Sequence, residues 1–182
     1  MTEQPLLVFY DTTVLINFHR AGRLPQLGQL LSERMRWVGT VKRECQRKEQ
    51  DLNLPGLISV SHEILGEPLF PDGDEHKNIR HLRQQMARPS DHPDEHLGEA
   101  ETLTIISARG IRSLIATDDG DVPAFAHPIQ CVTTWDLLRL TYRAKILSSA
   151  EVLTFWEGFV SNGNYPPKHV GTVEKLKEWL DE

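Results

Sequence analysis

The groups in this chain that could do chemistry together are carboxylates. Asp11 follows the apolar run Leu6-Leu7-Val8-Phe9-Tyr10, and Glu44 lies in Val41-Lys42-Arg43-Glu44. Glu99 and Glu101 share Gly98-Glu99-Ala100-Glu101, and Asp119 and Asp121 share Thr117-Asp118-Asp119-Gly120-Asp121. Each falls at the end of a predicted strand or the start of a predicted helix, where an α/β sheet collects its functional groups. Carboxylates brought together there repel one another and raise each other's pKa unless a cation neutralises them. Hard divalent cations such as Mg²⁺ take oxygen ligands of this kind. The chemistry indicated is metal-dependent cleavage of phosphodiesters.

The elements that must position these acids follow from periodicity. Leu6 to Tyr10 reads as a buried strand, short and apolar with Val and aromatic residues. Thr12-Thr13 opens a short helix through Val14, Leu15, Ile16 and Phe18, and Leu24 to Leu31 repeats Leu at helical spacing. Met35 to Val38 is a strand closed by Gly39-Thr40, where Thr40 can cap a helix from Val41 that carries Glu44 on about its first turn. Leu57 to Val60, after Pro55-Gly56, reads as a third strand, and 65–73 as a loop. A polar helix is expected over about Asp74 to Met86, then a surface connector through Asp91-His92-Pro93-Asp94-Glu95-His96. Gly98 to Ala108 is an apolar helix stopped by Gly110. Its N-terminus would present backbone N–H groups to a phosphate. Ser113 to Ala116 and Gln130 to Val132 are further strands, with a helix starting over Val122 to Ala126 between them. Helices over about Trp135 to Ala144, Ser149 to Phe159 and Val173 to Leu180 complete the chain. Strands alternating with helices predict a three-layer α/β/α fold around a parallel sheet of four to five strands, with extra C-terminal helices.

A chain of 182 residues is most simply one domain, with a core over about 6–132 and a helical extension over about 133–182. Its 39% hydrophobic and 25% charged content is that of an ordinary globular protein. Two distant cysteines, Cys45 and Cys131, point to a reducing, cytoplasmic setting rather than a disulfide framework. Met1-Thr2-Glu3-Gln4-Pro5 lacks the basic segment of a signal peptide, and the apolar runs are too short to span a bilayer. The formal net charge of −6 weighs against nucleic-acid binding. Acids gathered at one metal site would account for much of it, and Lys and Arg do cluster, as in Lys42, Arg43, Arg47 and Lys48.

Four pieces of sequence, taken in order, resemble the PIN domain family, the metal-dependent ribonuclease fold of VapC-type toxins and distant relatives of flap nucleases. They are Val8-Phe9-Tyr10-Asp11-Thr12-Thr13-Val14-Leu15-Ile16, Val41-Lys42-Arg43-Glu44, Gly98-Glu99-Ala100-Glu101 and Ala116-Thr117-Asp118-Asp119-Gly120-Asp121, covering about Leu6 to Val132. The resemblance implies Asp11 as the central ligand of Mg²⁺ or Mn²⁺, with Thr13, or less readily Thr12, orienting it. Glu44 would bind metal directly or through water. Glu99 ranks above Glu101, since two residues apart on a helix lie about 200° from each other. Asp119 fits the acid of the Thr-x-Asp pattern begun by Thr117, Asp121 is a secondary ligand, and Asp118 is expected to be exposed. The implied function is a metal-dependent endoribonuclease cleaving single-stranded RNA, with a toxin role, an antitoxin partner and a homodimer as family expectations.

Competing readings are set by the same residues. A PIN fold used only to bind RNA or protein would suit the negative charge. A structure-specific DNA nuclease would suit the Glu-x-Glu and Asp-x-Asp pairs, but no added helical arch is visible. Asp11-Thr12-Thr13 lacks the second Asp of a haloacid-dehalogenase nucleophile. His92 and His96 read as a solvated loop rather than a transition-metal site, and Cys45 as a half-buried helix cysteine.

Overall fold

The computed structural model describes residues 5–182. Residues 1–4, where the absence of a signal segment was read, lie outside the described residues. Four strands form one all-parallel sheet in the order β2-β1-β3-β4: β1 (Leu7–Tyr10), β2 (Met35–Arg36), β3 (Ser113–Ala116) and β4 (Gln130–Val132). Helices flank it in the α/β/α arrangement expected. These are α1 (Thr12–Arg20), α2 (Leu24–Leu31), α3 (Gly39–Asp51), α4 (Leu57–Leu65), α5 (Glu75–Met86), α6 (Leu97–Ala108), α7 (Val122–Ala126), α8 (Thr134–Arg143), α9 (Ser149–Ser161) and α10 (Val173–Asp181).

Strand order puts the site where it is. The chain leaves β1 towards β2 on one side and reaches β3 on the other, so β1 is the topological switch point. In open α/β sheets, crevices for ligands form beyond the carboxyl ends of such strands. Tyr10 pairs with Ala116, and Ala116 with Val132. Asp11, Thr117 and Thr133 therefore leave the sheet at the same level. Two further backbone bonds hold that edge: Asp11 N–H donates to Ala116 O at 2.9 Å, and Thr117 N–H to Val132 O at 2.9 Å.

The core supports this edge from below. Val8, Phe9 and Tyr10 are buried, as a strand covered on both faces requires, and α6 buries nearly its whole circumference from Gly98 to Ile106. The C-terminal helices extend the core through aromatic edges: Phe18 on Phe155 at 5.2 Å, and Trp135 on Phe159 at 5.1 Å between ring centroids. Trp37, Trp135 and Trp179 are buried, and the Trp156 indole N–H donates to Val170 O at 2.7 Å.

Two expectations are corrected. Leu57 to Val60 is not a strand but the start of α4, so the sheet has four strands. A short apolar run cannot distinguish the two by periodicity. What decides is the stripe Leu57, Ser61, Leu65, buried at four-residue spacing. Gly56, at φ 87°, opens the helix, and the Glu49 carboxylate accepts from Gly56 N–H (2.7 Å) and Ile58 N–H (3.2 Å). Thr40, expected to cap α3, lies inside its first turn. The helix starts at Gly39, with Val38 in the capping position, because the preceding chain pairs Val38 with Leu69 and Gly39 N–H donates to Leu69 O. Glu44 is consequently on the second turn.

Candidate functional site

Asp11 caps α1: its backbone is extended (φ −83°, ψ 156°) and its carboxylate accepts from Thr13 N–H at 3.4 Å. It is 8% exposed. Burial and the nearby Glu99 charge push its pKa up to about 7, against the pull of the Thr12 and Thr13 hydrogen bonds. Glu44 comes from α3, and its Oε2 accepts from the Thr12 hydroxyl at 2.5 Å. Burial raises it to about 6; the Thr12 bond and Arg47 lower it, while Asp11 and Glu101 add to the rise.

The first turn of α6 supplies the third wall. A Cβ at Gly98 would sit 3.2 Å from Glu44 Oε1 and 3.3 Å from Val41 Cγ2, so the missing side chain lets the Glu44 carboxylate lie against this turn. Glu99 follows, its pKa raised by burial and by Glu44 and Asp119, with its own backbone and His96 opposing. Asp119 comes from the end of β3. Its backbone N–H donates to Thr117 Oγ1 at 3.1 Å, and its Oδ1 accepts from Asp121 N–H at 2.8 Å. Thr117 thus shapes the turn that aims Asp119. Ligand atoms of His96, Glu99 and Asp119 lie within 4.8 Å of one another.

The structure therefore lines one cleft with Asp11, Glu44 and Glu99, sets Asp119 beside Glu99, and commits the carboxylates of Glu101 and Asp121 to other partners. Glu101 is 4% exposed, and its carboxylate accepts from Thr40 N–H at 3.2 Å and from the Thr40 hydroxyl. It caps α3 from a neighbouring helix. Asp121 is exposed and ion-paired with Arg88. Asp118 is exposed as expected, yet it is not idle: it accepts from Thr134 N–H (2.8 Å), Thr134 Oγ1 (2.5 Å) and Asn17 Nδ2 (2.9 Å). That ties the turn beside Asp119 to α1 and α8.

Three features escaped the sequence reading. Of the two hydroxyls, the buried Thr12 rather than Thr13 holds Glu44; alternation from Asp11 could not say which faced α3. His96 is not a solvated loop residue. At φ 62° it precedes α6, its Nε2 lies 3.1 Å from Asp91 Oδ2 and its Nδ1 lies 3.8 Å from Asp119 Oδ2. Its place three residues before Glu99 was the available signal. Arg47 and Lys48, one turn beyond Glu44, line the same cleft of about 570 Å³ with Asp11, Thr13, Glu44, Glu99, His92 and Asp94. Cys45 is fully buried, and burial with the neighbouring Asp11 and Glu44 charges raises its thiol, so it is an inert packing residue.

Comparison with protein-family models, with curated proteins and with solved structures returned no match. Among the described residues, no helix is long and apolar enough to cross a membrane.

Proposed function

We propose that the chain is a metal-dependent endoribonuclease of the PIN type that cleaves single-stranded RNA. The observation that carries this reading is convergence: Asp11, Glu44 and Glu99, from three separated segments, line one cleft at the switch point of a parallel sheet, and Asp119 lies beside Glu99. The donor set is carboxylate oxygen with one imidazole beside it, which fits Mg²⁺ or Mn²⁺. Burial first, and neighbouring acids second, raise Asp11 and Glu44, so a cation bound among them would favour their ionised forms.

When bound there, a divalent cation supplies Lewis acidity, easing deprotonation of the attacking water and offsetting charge on the phosphate oxygens. The residues of the chain do the positioning. Thr13 N–H fixes the Asp11 carboxylate, and the Thr12 hydroxyl fixes Glu44. Thr117 and the Asp121 N–H fix Asp119, and the His96 ring lies beside its other oxygen at 3.8 Å. Asp11, Glu44 and Asp119 thus each have one carboxylate oxygen held by a hydrogen bond from the chain. A toxin role, with an antitoxin segment covering the cleft and the protein as a homodimer, belongs to the same reading and rests on family resemblance alone.

The test is cleavage of RNA and DNA oligonucleotides across a Mg²⁺ or Mn²⁺ titration, comparing the intact protein with Asp11→Asn. RNA cleavage should require the metal and fall roughly 100-fold or more in the variant, since even groups that only support a metal ligand are worth 10–100-fold. Equal cleavage by both proteins, or cleavage in chelator, ends the proposal. Metal-independent RNA binding without cleavage would favour the alternative of a non-catalytic binding module.

A further inference from the structure

A cleft walled by acids must still attract a polyanion, and the structure concentrates its cations on one side. Among the described residues lining the acidic cleft, the Lys and Arg side chains are Arg47 and Lys48, both on α3. A second cleft of about 330 Å³ adjoins it, lined by Thr40, Arg43, Glu44, Arg47, Asp94 and Leu97. Glu44, Arg47 and Asp94 belong to both, so the two clefts share a wall. Arg43 and Arg47 are four residues apart on α3, as are Glu44 and Lys48, which sets two parallel stripes facing the clefts. The metal-binding acid and the cations are thereby built on one rigid helix.

Arg47 has a partner. Its guanidinium lies 3.6 Å from Asp94 Oδ2, and both side chains are more than half exposed, at 53% and 57%. An exposed pair of this kind contributes little to folding. It does, however, place an anion at the boundary between the two clefts, where a strand running from one into the other would put a phosphate.

We propose that Arg47, with Lys48 and Arg43 on either side, grips phosphates flanking the one that reacts, and that Asp94 occupies Arg47 until an RNA strand displaces it. The substrate implied is a single strand long enough to fill both clefts, not a mononucleotide. This rests on the nuclease reading for its substrate class, but its own readout is binding. Arg43 also donates to the Thr40 hydroxyl at 2.7 Å, so it is the least suitable position for a clean test.

The experiment measures anisotropy of a labelled single-stranded RNA oligonucleotide, as a function of salt, for the intact protein, Arg47→Ala, Asp94→Asn and the double variant. Chelator holds the RNA intact. Steady-state cleavage in Mg²⁺ is measured in parallel, and thermal melts check folding. Arg47→Ala should weaken binding about tenfold and lower the slope of log affinity against log salt by about one, the signature of one lost phosphate contact. In cleavage, KM should rise and kcat stay within about twofold. Asp94→Asn should tighten binding in the presence of Arg47 and do nothing in its absence. Unchanged affinity and salt slope in folded Arg47→Ala overturn the grip, and equal effects of Asp94→Asn in both backgrounds overturn the displacement. If binding follows the expected pattern while no protein cleaves, the grip stands and the nuclease reading fails.

Discussion

At the residue scale, Thr12 and Thr13 divide the support of two acids between them. Thr13 holds Asp11 through its N–H, and Thr12 turns inward to Glu44. A similar division separates Glu99 from Glu101. Two positions on one helix, about 200° apart, cannot both face the cleft, and Glu99 is the one that does. Alanine at Glu99 should therefore reduce metal-dependent cleavage by about tenfold or more while leaving the melting temperature nearly unchanged or raised, because a repelled carboxylate is removed. Alanine at Glu101 should do the opposite. It leaves Thr40 N–H and hydroxyl without their buried acceptor, at a cost of about 1–3 kcal/mol, and touches cleavage only through stability. Melting curves beside rate measurements separate the two; the reverse ranking would mean that Glu101, not Glu99, faces the substrate.

At the scale of elements, what was legible in the sequence was whatever a local pattern determines. Leu7–Tyr10 announces itself as a parallel strand by being apolar throughout, Ser113–Ala116 by its Leu-Ile-Ala run, and Gly110 marks the stop of α6. Leu57–Leu65 did not, because Leu57-Ile58-Ser59-Val60 after Pro-Gly suits either structure, and the four-residue buried stripe that decides, like the Glu49 carboxylate arriving from α3, shows only in the fold. Asp11, Glu99 and Asp119 could be picked out because each sits at or just past an element's end, whereas Glu44, marked by Val41-Lys42-Arg43-Glu44, lies a turn further into α3 than its sequence context suggests. Thr12, His96 and Arg47 could not, because their roles depend on which face of a helix meets another. Glu75 shows the same limit. Nothing local marks it, yet it is 3% exposed and receives Arg109 Nε at 2.8 Å and the terminal nitrogen at 2.7 Å, clamping the start of α5 to the end of α6. The Arg109 pair holds its carboxyl below the usual range. Glu75→Gln should cost about 2 kcal/mol, less than a wholly buried pair because Arg109 is about a third exposed. A lowered folded pKa gives stability that is present above the unfolded value and lost as pH falls through the folded one. The deficit of the variant, measured by urea unfolding, should therefore shrink on acidification; a constant deficit would show that packing rather than charge is at stake.

At the scale of the whole molecule, the acid cluster sets stability against pH in the opposite sense. Asp11 titrates at 3.8 when free and at about 7 in the fold, and Glu44 moves from 4.5 to about 6. A raised folded pKa means that the native state holds the proton more tightly than the unfolded chain. The resulting stability is full below the unfolded values and drains away as pH rises through the folded ones. Metal-free protein should consequently lose stability from about pH 4 to about pH 7, a range in which most proteins are level or gaining. The cause is burial of Asp11 with Glu99 beside it, so the slope should flatten in Asp11→Asn, which cannot ionise. On the proposed reading a divalent cation would bind the ionised cluster and not the unfolded chain, so it should stabilise by mass action, increasingly as the acids lose their protons. Urea unfolding across this range, in chelator and in Mg²⁺, should give two curves that meet at the acid end and separate towards neutrality. Curves that run parallel, or a chelated protein that grows more stable towards neutrality, would mean that the four carboxylates do not share one charge-sensitive site.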